Sequence, residues 1–446
     1  MRLSGLTTRG GGSIISGAIT ALSGQALVWL IGFPTSVLIA RALGPEGRGE
    51  YYLPVLAAMV CVVVFNLSLE TANTYAVGER KFTLDTLSRN AALMVLAVGP
   101  LAVAALFGAF ALTRSTVFEG VGTVNFAIAA CTVPVSLHLA WLASLFILAK
   151  RITRSQIALV AGAMVYLAGA IVLTVVDSLD VRDVLILYAA SVVTAWLLHV
   201  FWVGEFASAQ PRLDRRVLRE VSLYGLKLHP GSVVFYLLLK FDAFLVSIYL
   251  GTEEVGLYTL AVLLADLAVL VTYPLVQASV PFQVERSVKD SAPLTFKAAR
   301  FNVALATIVA AVFAATMWLV IPALYGHQFD DTYPALVLLL PGICAMALTR
   351  PLLILLTRSG RPLPYVGMIL ACFLLNMALN AALLPEIGIK GASIASSVAY
   401  IALAVAVVAW SRRVAGRELR DLLLPQPDDW TTVSRALARI RRGASA

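Results

Sequence analysis

The stretch Leu43-Gly44-Pro45-Glu46-Gly47-Arg48-Gly49-Glu50-Tyr51-Tyr52-Leu53-Pro54-Val55 recurs 207 residues later as Leu250-Gly251-Thr252-Glu253-Glu254-Val255-Gly256-Leu257-Tyr258-Thr259-Leu260-Ala261-Val262, with seven of thirteen positions identical. Glycine, glutamate and tyrosine return in register at Gly44/Gly251, Glu46/Glu253, Gly49/Gly256 and Tyr51/Tyr258; Pro45 has no counterpart. Each copy sits between two apolar runs of about the 20 residues that a bilayer-crossing helix needs. Each therefore reads as a tight connection between an odd-numbered span and the next even one. Two halves with the same orientation form a parallel repeat, related by an axis along the membrane normal, and such duplication places a substrate pathway at the interface of the halves.

Reading outward from the two copies gives twelve apolar runs, at about 14–40, 51–69, 91–112, 121–149, 156–176 and 184–204, then 222–249, 255–281, 302–325, 334–357, 364–384 and 388–411. The expected fold class is an all-α polytopic membrane protein of about twelve transmembrane helices in two six-helix lobes. Residues 1–204 form the N-lobe, 205–221 a cytoplasmic inter-lobe linker, 222–411 the C-lobe, and 412–446 a basic cytoplasmic tail. Composition agrees: 60% of the side chains are hydrophobic and only 13% charged, against about 25% in soluble domains, with a mean hydropathy of +0.88. The first run is too long for the short apolar region of a cleavable signal. Cys61, Cys131, Cys344 and Cys372 all lie within apolar runs and read as packing residues.

Charge sets the expected orientation. With the N-terminus in the cytoplasm, 26 of the 34 Lys and Arg residues fall in inside segments, and only Arg41, Arg48, Arg114, Arg182 and Lys390 in outside loops. Eleven acids, among them Asp177, Asp180, Asp183, Glu253, Glu254, Asp330 and Asp331, crowd the outside loops. By the positive-inside rule both termini lie in the cytoplasm and the chain sits in the cell (inner) membrane. The net charge of +9 thus reflects topology, and no nucleic-acid partner is expected. In the tail, Trp430, Val433, Leu437 and Ile440 share one stripe with Arg435, Arg439 and Arg442 opposite, between an Asp429 cap and Gly443. That pattern predicts an interfacial helix.

The motif Leu-Gly-Pro-Glu-x-x-Gly-x-Tyr at 43–51 resembles the polysaccharide and O-antigen (Wzx-type) flippases of the multidrug/oligosaccharidyl-lipid/polysaccharide (MOP) exporter superfamily. Lys240-Phe241-Asp242 leading to Leu250-Gly251 and Gly256-Leu257-Tyr258 is similar to the same family, as are Asn376, Asn380 and Leu384-Pro385-Glu386-Ile387-Gly388-Ile389-Lys390-Gly391-Ala392. The resemblance implies a V-shaped bundle working by alternating access, which moves a polyprenyl-diphosphate-linked oligosaccharide from the inner to the outer leaflet. It also implies polysaccharide polymerase or glycosyltransferases as partners, with the chain itself a monomer. Lipid II flippases of the superfamily usually have fourteen spans, and its multidrug exporters twelve, so a cation-coupled small-molecule exporter and a lipid II-type flippase are the alternative readings.

Three cations, Lys227, Lys240 and Arg350, fall inside expected spans, where charge persists only facing a cavity or a partner. They are the candidate contacts for a diphosphate; a structural ion pair or snorkelling to the interface would explain them equally. Asp242, Asp266 and Glu70 are the acids at membrane depth and the candidates for binding a coupling H+ or Na+. Gln25, Asn66, Asn73, His138, Gln277, Asn376 and Asn380 read mainly as interhelical hydrogen bonders. No nucleotide-binding loop, His-Glu-x-x-His or Cys-x-x-Cys occurs. Outside loops of about ten residues or fewer leave no platform for a catalytic acid/base pair, so no catalytic residue, metal ligand or organic cofactor is assigned.

Overall fold

The computed structural model describes residues 10–79, 81–207, 214–272, 287–358 and 362–416, with Val276, Arg420 and Gln426. Among them every regular element is a helix: α1 Gly10–Phe65, α2 Leu69–Gly78, α3 Leu84–Thr113, α4 Thr123–Leu148, α5 Ile152–Val175, α6 Val181–Val203, α7 Arg215–Lys240, α8 Asp242–Leu250, α9 Thr252–Leu270, α10 Val288–Tyr325, α11 Thr332–Arg358, α12 Pro362–Ile387 and α13 Ile389–Ala415, with a 3-10 turn at His327–Phe329. Nine described helices are long and apolar enough to cross a membrane, ten when the bent pair His229–Lys240 and Asp242–Leu250 is one span. The longest of them runs through Gly44 and supplies two of the expected crossings. The expected eighth span is described only as α9, which carries Glu253, Glu254 and Asp266; its remainder, with Gln277, and the expected tail helix lie outside the described residues. Leu96, Leu112 and Phe201 expose 72%, 86% and 78% of their surface. Apolar exposure on that scale along helix after helix needs lipid around it. This is a multi-pass membrane protein.

Gly44 (φ 69°, ψ −176°) and Gly251 (φ 90°, ψ −178°) adopt the same backbone conformation, one essentially closed to residues with a Cβ. The repeated stretch is therefore less of a loop than its sequence implies. In both copies helix resumes immediately, at Pro45 and at Thr252, where proline's fixed φ suits a first helical position. Glu46, Glu50, Glu253 and Glu254 thus sit in first helical turns. Crowding raises two of these acids: burial and Glu46 push the Glu50 carboxyl up, and burial, Asp331 and Glu253 push up Glu254.

The two copies also touch. A Cβ on Gly49 would overlap the carbonyl oxygen of Thr252, and one on Gly256 the carbonyl oxygen of Pro45. Thr252 is the repeat-mate of Pro45, as Gly256 is of Gly49, so the contact is reciprocal. Each glycine offers its Cα–H to a carbonyl on the other helix, the weak bond typical of close helix crossings.

Two compact units make up the chain. The first comprises Met1–Leu260, Trp318–Tyr333 and Asn380–Ala392; the second comprises Ala261–Met317, Pro334–Leu379 and Ser393–Ala446. In the first, α1 packs on α4, α5 and α6, α3 on α4, and α2 on α7. Phe110 stacks on Phe126 at 4.0 Å, with Phe118 and Phe107 edge-on to Phe126. Arg41, read from sequence as a loop cation, donates to the Ala323 carbonyl at 2.7 Å near the end of α10, where the helix dipole favours it. In the second, buried amides join helices: Asn302 Nδ2 donates to the Ala347 carbonyl at 2.6 Å and Asn376 Nδ2 to Ser396 Oγ at 3.1 Å. All four cysteines are free thiols; Cys131 is exposed, against its reading as a packing residue.

Candidate functional site

The expected second span stops early. α1 ends at Phe65, Leu67 (φ 55°) and Ser68 (φ 49°) are left-handed, and α2 starts at Leu69. Left-handed backbone at a leucine and a serine costs on the order of 1–3 kcal/mol each and persists only where its surroundings enforce it. They do so here. Buried Trp141 of α4 donates from Nε1 to Asn66 Oδ1 at 2.6 Å and to the Asn66 carbonyl at 3.2 Å. Asn66 Nδ2 donates to Glu70 Oε1 at 3.0 Å. His229 of α7 lies with Nε2 2.8 Å from the Val64 carbonyl and Nδ1 3.2 Å from Ser68 Oγ. A carbonyl only accepts, so Nε2 carries the proton and neutral Nδ1 accepts from the serine. Trp141→Phe leaves the Asn66 oxygens short of a donor and is expected to cost about 1–3 kcal/mol. Thermal unfolding in detergent checks this; an unchanged midpoint would show that the break does not rest on the tryptophan.

Beside the break lies a cavity of about 260 Å³ between α2, the segment that follows it, and α7. Tyr75 and Tyr224 stack across it, centroids 4.1 Å apart and planes within 5°. Lys81 Nζ sits 4.8 Å above the Tyr75 ring and 3.3 Å from its hydroxyl, while Lys227, exposed, lines the same cavity. Its carboxylate, Glu220, is engaged by Arg216 at 2.8 Å. Two amines therefore flank a double phenol face. Ammonium groups bind phosphate oxygens, and an aromatic face suits the apolar side of a sugar ring.

Solved structures carry the same fold. An inward-facing multidrug resistance MATE family transporter of the MOP superfamily matches over 90% of this chain and 98% of its own, with a TM-score of 0.68 and 15% identity. The chain has the MOP-superfamily transporter fold. Similar too are a MOP superfamily transporter from Pyrococcus furiosus, described by a reversed polarity of its binding pocket that suggests a different function (TM-score 0.65, 14% identity, 91% and 96% of the two chains). The lipid II flippase MurJ, in an inward closed conformation, matches with TM-score 0.64 and 13% identity over 92% and 89%. A family model described as polysaccharide biosynthesis protein matches residues 150–334, from α5 to the start of α11. No curated protein is a significant match to the sequence.

Of the residues singled out from sequence, this MOP fold brings Glu70 and Lys227 to one region, Glu70 on the short helix whose next turns line the cavity. Lys227 is exposed rather than embedded. Lys240 and Asp242 lie on either side of a helix break at Phe241, where α7 and α8 diverge by 41°. Asp242 is 2% exposed; its Oδ1 accepts from the Ala243 N–H at 2.9 Å, and its Oδ2 from the hydroxyl of buried Tyr258, the tyrosine of the second repeat copy, at 2.5 Å. Asp266 and Arg350 are half-buried in the second unit. His138 pairs with Trp196, whose Nε1 lies 3.0 Å from its Nδ1. Lys81, Tyr75 and Tyr224 escaped the sequence reading, because Lys81 counts as an ordinary loop cation until α7 brings Tyr224 onto Tyr75.

Proposed function

We propose that the chain is a secondary-active flippase moving a polyprenyl-diphosphate-linked oligosaccharide from the inner to the outer leaflet of the cell membrane by alternating access, with both termini cytoplasmic. The observation that carries this reading is the Lys81/Lys227 cavity with its stacked tyrosines. It lies at the ends of helices whose connections hold the chain's basic residues, the face that the positive-inside rule assigns to the cytoplasm. A diphosphate and its first sugar require that pairing of cation and aromatic face. The match to a polysaccharide biosynthesis family supports the same class. A cationic drug would call instead for a free acid, and Glu220 is taken by Arg216. In this reading residues 1–204 and 222–411 are the two lobes, and Glu70, Asp242 and Asp266 are the carboxylates to test for H+ or Na+ coupling.

The test is depletion in cells followed by a leaflet-resolved assay of lipid-linked oligosaccharide, with complementation by wild type and by Lys81→Ala/Lys227→Ala. Depletion is expected to trap the intermediate on the inner leaflet. The double variant, present at wild-type level, is expected to restore flux roughly tenfold less well, the equivalent of about 1.4 kcal/mol of lost contact. Normal outer-leaflet delivery in depleted cells would remove the flippase reading, and full complementation would remove the cavity from it.

A further inference from the structure

Arg48, counted from sequence among loop cations, is one of the largest fully buried side chains in the molecule, 2% exposed. Its guanidinium donates one hydrogen bond, from Nη1 to Ser36 Oγ at 3.3 Å, and its buried Nε meets no hydrogen-bond partner among the described residues. No carboxylate forms an ion pair with it there. The nearest acids in sequence point elsewhere. Glu46 and Glu50 are four apart, share a helix face and act on each other, whereas Arg48, two residues from each, projects from the opposite side. Around the guanidinium are the phenols of Tyr51, Tyr166 and Tyr325, all within its electrostatic reach, with Ser36 beside Tyr325. The repeat supplies an internal control: the position equivalent to Arg48 is Val255, which is fully buried. The duplicated turn folds with an apolar side chain here, so the fold itself asks for no charge.

We propose that Arg48 is the centre of a second binding site, for an oxyanion of the phosphate class, within the first unit. A buried charge is tolerated when an opposite charge and further hydrogen bonds complete it. A planar five-donor fork is the side chain that matches phosphate geometry, and the hydroxyls of Ser36, Tyr51, Tyr166 and Tyr325 are donors for the remaining oxygens. The site stands apart from the Lys81/Lys227 cavity and does not depend on the flippase reading: any anionic cargo that traverses this bundle would use it. Two sources share the chemistry, a free phosphate ion and the diphosphate head group of a lipid.

The experiment uses the full chain in detergent in the Lys81→Ala/Lys227→Ala background, so that the other cationic cavity is silent. Thermal stability is titrated with inorganic phosphate, with undecaprenyl diphosphate, and with undecaprenol as the uncharged lipid. The parent is expected to be stabilised by at least one phosphate-bearing probe and not by undecaprenol. Arg48→Val, which copies the second repeat, is expected to fold and to lose that response, with at least a tenfold rise in apparent Kd. Arg48→Lys, which keeps charge but not the fork, should fall between them and covers the case in which the valine variant does not fold. A response to phosphate alone assigns the site to the free ion, and a response confined to the lipid diphosphate assigns it to the head group. An equal response in parent and Arg48→Val, or none in the parent to either probe, would overturn the proposal.

Discussion

Gly256→Ala lowers the stability of the purified protein by about 3 kcal/mol, the upper end of what an inserted methyl group costs in a packed interior. Gly49→Ala does the same. Elsewhere a new methyl group can be absorbed by a neighbouring side chain, but here the Cβ would meet backbone carbonyls, of Pro45 in one case and Thr252 in the other. Neither carbonyl can move without shifting a helix start that Gly44 or Gly251 has just positioned. Because both substitutions push apart the same crossing, the double variant should lose less than the two losses added together. Gly108 is the control: it is helical, with nothing within 4 Å of where its Cβ would be, so alanine there is expected to be neutral or stabilising by up to about 1 kcal/mol. The measurement is thermal unfolding of each variant in one detergent. Wild-type stability in Gly256→Ala would mean that the two copies do not cross as closely as the geometry requires.

The same repeat shows what was legible beforehand. Gly44 and Gly251 could be paired from sequence because a conformation that excludes side chains leaves a glycine wherever it occurs. The crossings were legible because a helix in lipid must satisfy its own backbone and clothe itself in apolar residues over a fixed length. The break after Phe65 was not. Leu67 and Ser68 carry no breaking signature, and what holds them left-handed are Trp141 and His229, 75 and 161 residues from the groups they touch. Charged residues were located by their neighbours in sequence, which misled in both directions: Lys227 sits in an apolar context yet is exposed, and Arg48 sits among glycines and glutamates yet is buried. Whether a helical residue faces lipid, solvent or another helix depends on which helix comes to lie beside it. In the cavity that helix is α7, and no local pattern announces that Tyr224 will stack on Tyr75.

Asp242→Ala is expected to be the most damaging single loss of a polar group, on the order of 3–5 kcal/mol, the range for stripping one member from a buried hydrogen-bonded pair. The substitution leaves the Tyr258 hydroxyl without its short bond and the start of α8 without the carboxylate at its first N–H. Tyr258→Phe removes only the first of these and should cost about 1.5–3 kcal/mol, as for hydrogen bonds to charged groups. The two losses overlap in one contact, so a double-mutant cycle should return a coupling energy well above the few tenths of a kcal/mol seen for independent sites. Asp242→Asn retains an oxygen for both donors and is expected to stay folded, which makes it the variant that separates anchoring from ion coupling. If Asp242 serves only as the anchor between α8 and α9, gradient-driven transport by Asp242→Asn keeps the wild-type dependence on the imposed proton or sodium gradient. If that dependence disappears while the melting temperature holds, the carboxylate also carries the ion. A melting temperature unchanged in Asp242→Ala would deny it the anchoring role altogether, since a carboxylate bonded to Tyr258 across a helix break cannot be removed without consequence for the break.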